Sequence, residues 1–130
     1  MRNGITVRQN PINMPEPVGN YTHITKIPRN AELLVSSGQI RINQDGQFPE
    51  GMNEQINSTL KNISKVLGTE ELTAANIIKV NIWATEKIDW EHMDFEWKQL
   101  FNTEYPAMTI GYISELRLPE IKIEIWAARP

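Results

Sequence analysis

The 130-residue chain contains no cysteine, which removes disulfides, thiolate nucleophiles and thiolate metal ligands together. It also has no apolar run approaching the ~20 residues that a membrane-crossing helix needs. The opening Met1-Arg2-Asn3-Gly4-Ile5-Thr6 lacks the apolar core of a secretion signal. A cytoplasmic protein without a membrane partner is therefore expected. Histidine is scarce: His23 and His92 are too few and too isolated for a metal site, so neither metal nor cofactor is expected. Gly38, Gly46 and Gly51 lack the spacing of a nucleotide-binding turn, and Ser36-Ser37 lacks a nucleophile elbow. A basic stripe is missing too. Net charge is -3, and the densest basic pair, Lys61 and Lys65, is offset by Glu54, Glu70 and Glu71. Nucleic-acid partners are thus disfavoured, because they demand clustered cations.

What is present is globular. Apolar residues make up 40% and charged residues 22% of a chain whose length suits one domain, residues 1–130. The first 20 residues, with Pro11, Pro15, Pro17 and Gly19, discourage helix after a possible short strand at Ile5-Thr6-Val7. Strands are expected at about 21–26 and 32–39, parted by Pro28-Arg29-Asn30. Asn43-Gln44-Asp45-Gly46 reads as a turn. Ile56, Leu60, Ile63 and Leu67 then form one helical stripe, with Pro49 suiting its start and Gly68 its end. A strand pattern returns over 73–86, placing Ile78, Val80, Ile82 and Ala84 on one face and Ile77, Lys79, Asn81 and Trp83 on the other. A second helix over 89–102 has Asp89 as N-cap and Trp90, Met93, Trp97, Leu100 and Phe101 inward; His92 falls on its solvated side. Strands over 107–114 and 122–129 finish the chain.

This order predicts an α+β fold, a mixed β-sheet with two helices packed on one face. On the last strand Ile121, Ile123, Ile125 and Ala127 can meet the helices, while Lys122, Glu124 and Trp126 share the other face. That second face would leave Trp126 and Trp83 on an open sheet, a pattern that marks an interface between subunits.

Three segments carry a resemblance: Glu32-Leu33-Leu34-Val35-Ser36-Ser37-Gly38-Gln39-Ile40, Tyr105-Pro106-Ala107-Met108-Thr109, and Lys122-Ile123-Glu124-Ile125. With Thr59-Leu60-Lys61-Asn62-Ile63, Ile78-Lys79-Val80-Asn81-Ile82-Trp83 and Arg117-Leu118-Pro119 in the same order, the chain from Val18 onward resembles the RidA (YjgF) family, also labelled endoribonuclease L-PSP. The resemblance implies a chorismate-mutase-like fold, a homotrimer with small-molecule clefts between subunits, and hydrolysis of reactive imines and enamines. It further implies a ligand site built from Tyr21, Ser37, Gly38 and Met108, with Glu124 as the catalytic group that holds the attacking water; Thr109 and Arg117 are further candidate binding residues. Active members carry an arginine where Met108 stands, and a planar guanidinium suits a carboxylate because it gives two parallel charged hydrogen bonds. An asparagine of the second helix is matched by Asp94, the second glutamate of Glu-Ile-Glu by Trp126, and the loop before Tyr105 is shorter than usual.

These departures make weak or absent deamination of 2-imino acids the expectation. The alternative is a non-catalytic binding or regulatory protein of the same fold; an endoribonuclease is the least favoured reading. Residue by residue, Glu124 has a structural alternative as a sheet carboxylate paired with Lys122 or Lys79. Arg117 could simply orient the loop before Pro119, and Tyr21 could cap the sheet. Another arginine, Arg41, Arg117 or a neighbour's Arg129, could stand in for the missing one.

Overall fold

The structure, a computed structural model, describes residues 6–40, 46, 49–116 and 120–130. The elements are β1 (Val7–Gln9), β2 (Ile24–Lys26), β3 (Glu32–Val35), α1 (Met52–Thr69), β4 (Ile77–Ala84), α2 (Trp90–Phe101), β5 (Ala107–Tyr112) and β6 (Ile121–Arg129). Four of the strands form one sheet in the order β3-β6-β4-β5. β4 and β5 run parallel, with α2 as their crossover, and the other pairs are antiparallel. Two helices on a mixed sheet is the α+β architecture that the residue pattern predicts.

The core lies between the helices and one sheet face. Ile56, Leu60, Ile63 and Leu67 of α1 and Met93, Trp97 and Phe101 of α2 are buried against Val80, Ile82, Ile121, Ile123 and Ile125. Each such side chain contributes about 1.5–3 kcal/mol by leaving water. Among the described residues no helix covers the opposite sheet face, and Trp126 there is 43% exposed. Among the described residues, no helix is long and apolar enough to cross a membrane.

Several boundaries differ from the expectation. The first strand is shifted to Val7–Gln9, and β2 starts only at Ile24. Strand β3 stops at Val35; beyond it only Gln39 pairs, with Ile123, so the Ser-Ser-Gly segment leaves the ladder. Residues 74–76 form a short 3-10 turn instead of strand, because Thr73 and Asn76 make a reciprocal capping box. A register shift between Ile77 and Lys79 then buries both Ile77 and Ile78, where strict alternation would expose one. Helix α1 is N-capped by Gly51 and runs through Gly68 to Thr69; Glu71, at positive φ, lies just past the end. Asp89 does cap α2, its carboxylate accepting from the His92 amide, but Trp90 is 36% exposed. His92 is not merely solvated, since its ring contacts the Asn57 side chain at 2.8 Å. The Asn43–Asp45 turn and Arg41 lie outside the described residues.

The N-terminal β1-β2 ribbon pairs with itself and leans on the sheet's β4-β5 side. Thr25 Oγ1 donates to the Ile78 carbonyl at 2.7 Å, and the Thr22 amide to the Pro106 carbonyl at 3.1 Å. Arg8 holds it more firmly. Its guanidinium donates to the carbonyls of Ala74 at 2.8 Å, Ile77 at 2.9 Å and Glu104, and lies over the Phe101 ring. Burial lowers the Arg8 pKa from its ordinary value, with the Glu104 charge opposing that shift. This docking carries the segment before β2 across α2 and makes it a wall.

Candidate functional site

That wall closes a cavity of about 380 Å³ lined by Val18, Gly19, Asn20 and Tyr21 on one side. Its other walls are Trp90, Met93, Asp94 and Trp97 of α2, and Ile82, Met108 and Ile110 of the sheet. Helical spacing explains the α2 wall, because positions 90, 93, 94 and 97 fall on one face. Strand register explains the floor. Val80 pairs with Met108 and Ile82 with Ile110, so period-2 alternation points Met108 and Ile110 toward the helices.

The aromatic walls are fixed by their polar tips. Trp97 Nε1 donates to the Asn20 carbonyl at 3.1 Å, and Trp90 Nε1 donates to Tyr112 Oη at 3.2 Å. The Tyr21 hydroxyl oxygen accepts from the Val18 amide at 3.4 Å. Among the described residues lining the cavity, Asp94 is the only charged one. It makes no hydrogen bond or ion pair with another described residue, and partial loss of water holds its carboxyl above the ordinary value. Tyr105 nearby is shifted up as well, first by desolvation and then by the Asp94 charge. The described residues give the site one carboxylate and apolar surface, and among them no cation lines it to answer an anion.

A second group of polar side chains sits on the helix-free face. Asn81 and Glu124 are directly paired across β4 and β6, and Asn81 Nδ2 donates to Glu124 Oε1 at 3.0 Å. On the adjoining strand, Lys79 Nζ donates to Thr109 Oγ1 at 2.8 Å. Ser37 and Gly38 loop out opposite Glu124. The loop is held on one side by the Ser36 amide on the Ile125 carbonyl (3.0 Å) and on the other by the Gln39 amide on the Ile123 carbonyl (2.6 Å). A Cβ on Gly38 would come within 2.3 Å of the Lys122 side chain, so a larger residue there would have to displace that lysine.

The seven candidate residues therefore separate. Tyr21 and Met108 share the cavity; Ser37, Gly38, Thr109 and Glu124 belong to the other sheet face; Arg117 lies outside the described residues. Glu124 does not pair with Lys79 or Lys122, whose structural role had been the alternative; its partner is Asn81. Arg129 does not reach the cavity of its own chain, being bound to Glu32 at 2.7 Å and Glu70 at 2.9 Å. Val18, Asn20, Trp90, Met93, Trp97 and Ile110 were not singled out from sequence as site residues. The available signal was Asp94, a carboxylate set within the apolar stripe of α2.

Comparison with known proteins adds the following. The family model described as Endoribonuclease L-PSP matches residues 11–128. A RutC family protein of Aquifex aeolicus is 33% identical over 119 residues, covering 88% of this chain and 93% of that protein. The putative reactive intermediate deaminase TdcF of Escherichia coli is 27% identical over 118 residues, with 87% and 88% covered. Among solved structures, the Rid-family protein YyfB of Yersinia pestis, of unknown function, superposes with a TM-score of 0.81 at 22% identity, covering 94% of this chain and 97% of that one. Escherichia coli TdcF with bound serine gives 0.69 at 24% identity, with 89% and 93% covered.

Proposed function

We propose that this chain, which belongs to the Endoribonuclease L-PSP family, binds a small metabolite at the Tyr21–Met108 cavity of a homotrimer. In this reading the cavity opens onto a neighbouring subunit, and imine or enamine hydrolysis is weak because Met108 replaces a carboxylate-binding arginine. The observation that carries the reading is the lining: a half-enclosed apolar space with fixed aromatic walls, a thioether at position 108 and, among the described residues, Asp94 as its one charge. Serine bound to TdcF, a relative by sequence as well as fold, supports a small-molecule ligand.

If hydrolysis occurs, Glu124 is the group to hold the water. The Asn81 amide donates to one of its oxygens, leaving the other to accept a proton from a water adding to the imine carbon. Met108 gives an α-carboxylate no charge-assisted hydrogen bond, and Asp94 repels it. Losing such a partner costs about 2–5 kcal/mol, roughly 30-fold to several-thousand-fold in rate. Cleavage of RNA is not favoured by a net charge of -3 with no basic stripe.

Two measurements test this. Light scattering on the purified protein should return three times the chain mass; a monomer overturns the trimer reading. Iminopropionate generated in situ should lose ammonia little faster with the protein than without it. Turnover matching an arginine-bearing relative would show that Met108 is no handicap.

A further inference from the structure

Resting on the reading that the Tyr21–Met108 cavity is the ligand site, we propose that its ligand is a small organic cation, a protonated amine or iminium, and not a carboxylate-bearing anion. Three rings line the space, those of Tyr21, Trp90 and Trp97. Both indole N–H groups are already committed, Trp97 to the Asn20 carbonyl and Trp90 to the Tyr112 hydroxyl. What the two tryptophans present to a ligand is therefore their π-systems and not their donors. Such surfaces attract cations through the ring quadrupole, most strongly where water is excluded. Met93 and Met108 add polarisable sulfur.

Charge points the same way. Asp94 stands on the α2 wall without a hydrogen bond or ion pair to any other described residue, and no basic side chain lines the cavity among them. An anion entering would meet a like charge and no indole donor. A cation would meet a free carboxylate and aromatic surface, which is the recognition chemistry of an alkylammonium group.

The test uses the full chain and three probes of nearly equal shape: choline, its uncharged carbon isostere neohexanol, and the anion tert-butylacetate. Binding is followed by tryptophan fluorescence and by the NMR signals of the Trp90 and Trp97 indole N–H groups. Choline is expected to bind about tenfold more tightly than neohexanol, with tert-butylacetate weakest. Asp94→Asn should remove at least about fivefold of the choline affinity, and Trp90→Leu, at a partly exposed position, a further part.

Equal binding of choline and neohexanol, both shifting the indole signals, would overturn the cation class while leaving the cavity as a ligand site. Tightest binding of tert-butylacetate would also overturn it. An unaltered choline affinity in Asp94→Asn would do the same. If no probe moves either indole signal, the cation proposal fails together with the cavity reading on which it rests.

Discussion

Replacing Met108 by arginine offsets the one carboxylate charge that the described residues bring to the cavity, and the consequence can be worked through. Met108 is half-buried on the β5 floor, facing the α2 wall that holds Asp94. A guanidinium there can offer a ligand carboxylate two charge-assisted hydrogen bonds, each worth about 1.5–3 kcal/mol. Asp94 competes for the same guanidinium, so the net gain falls to about 2–5 kcal/mol, which is roughly 30-fold to several-thousand-fold in kcat/KM. The double variant Met108→Arg/Asp94→Asn removes that competitor and should exceed the single by about another fivefold. The assay is ammonia release from 2-iminopropionate generated in situ, with each variant first shown to be folded and of unchanged mass by light scattering. Should both variants fold and neither turn the substrate over faster than the parent, the carboxylate does not sit beside position 108, and the reasoning is wrong.

Other consequences concern stability. Thr59 is fully buried in α1 and its hydroxyl has no hydrogen-bond partner among the described residues, so Thr59→Val should raise the urea midpoint by the equivalent of about 1 kcal/mol; a fall would reveal a hidden acceptor. A Cβ on Gly111 would approach the Trp83 ring to 2.8 Å, so Gly111→Ala should cost about 1–3 kcal/mol and perturb Trp83 fluorescence. Arg8→Met removes a donor shared by three carbonyls and should cost about 2–3 kcal/mol, with hydrogen exchange rising first in β1 and β2. The Asp94 carboxyl, held above its ordinary value by desolvation, favours folding below the unfolded carboxylate range and loses that contribution as pH rises through its folded value. Asp94→Asn should therefore raise the thermal midpoint slightly at neutral pH and leave it unchanged in acid. An equal change at both would exclude this cause.

Local pattern carried the core of the fold. The α1 stripe, the Asp89 cap and the isoleucine face of β6 are periodic features, and burial follows them directly. Boundaries were less legible wherever a side chain competes with the ladder. Thr73 and Asn76 satisfy one another and turn the chain before β4, while the register shift at Ile77 hides two isoleucines that alternation would split. The cavity was only half visible for a related reason. Trp90, Met93 and Trp97 read as core residues, and Met93 and Trp97 do pack inward while Trp90 stays partly exposed, but the wall supplied by residues 18–21 comes from tertiary docking through Arg8 and Thr22. No local pattern encodes that contact.

Register also constrains how the two groups of candidate residues can cooperate. Glu124 pairs with Asn81, and Asn81 pairs with Thr109, so these three form one row across β6, β4 and β5. The next row is Ile125, Val80 and Met108. Adjacent rows face opposite sides of a sheet, so Glu124 points to the helix-free side and Met108 to the helices. β5 borders the sheet, and Glu124 lies two strand spacings from it, about 10 Å. A small ligand in the Met108 cavity therefore cannot touch the Glu124 of its own chain without crossing the sheet. If one ligand is served by both residues, the carboxylate must come from another subunit packed against this one. Mixing Met108→Arg/Glu124→Gln chains with unaltered chains separates the cases. A gain of activity confined to hetero-oligomers of the two would establish a shared site, and activity unaffected by Glu124→Gln in every mixture would make the two groups independent.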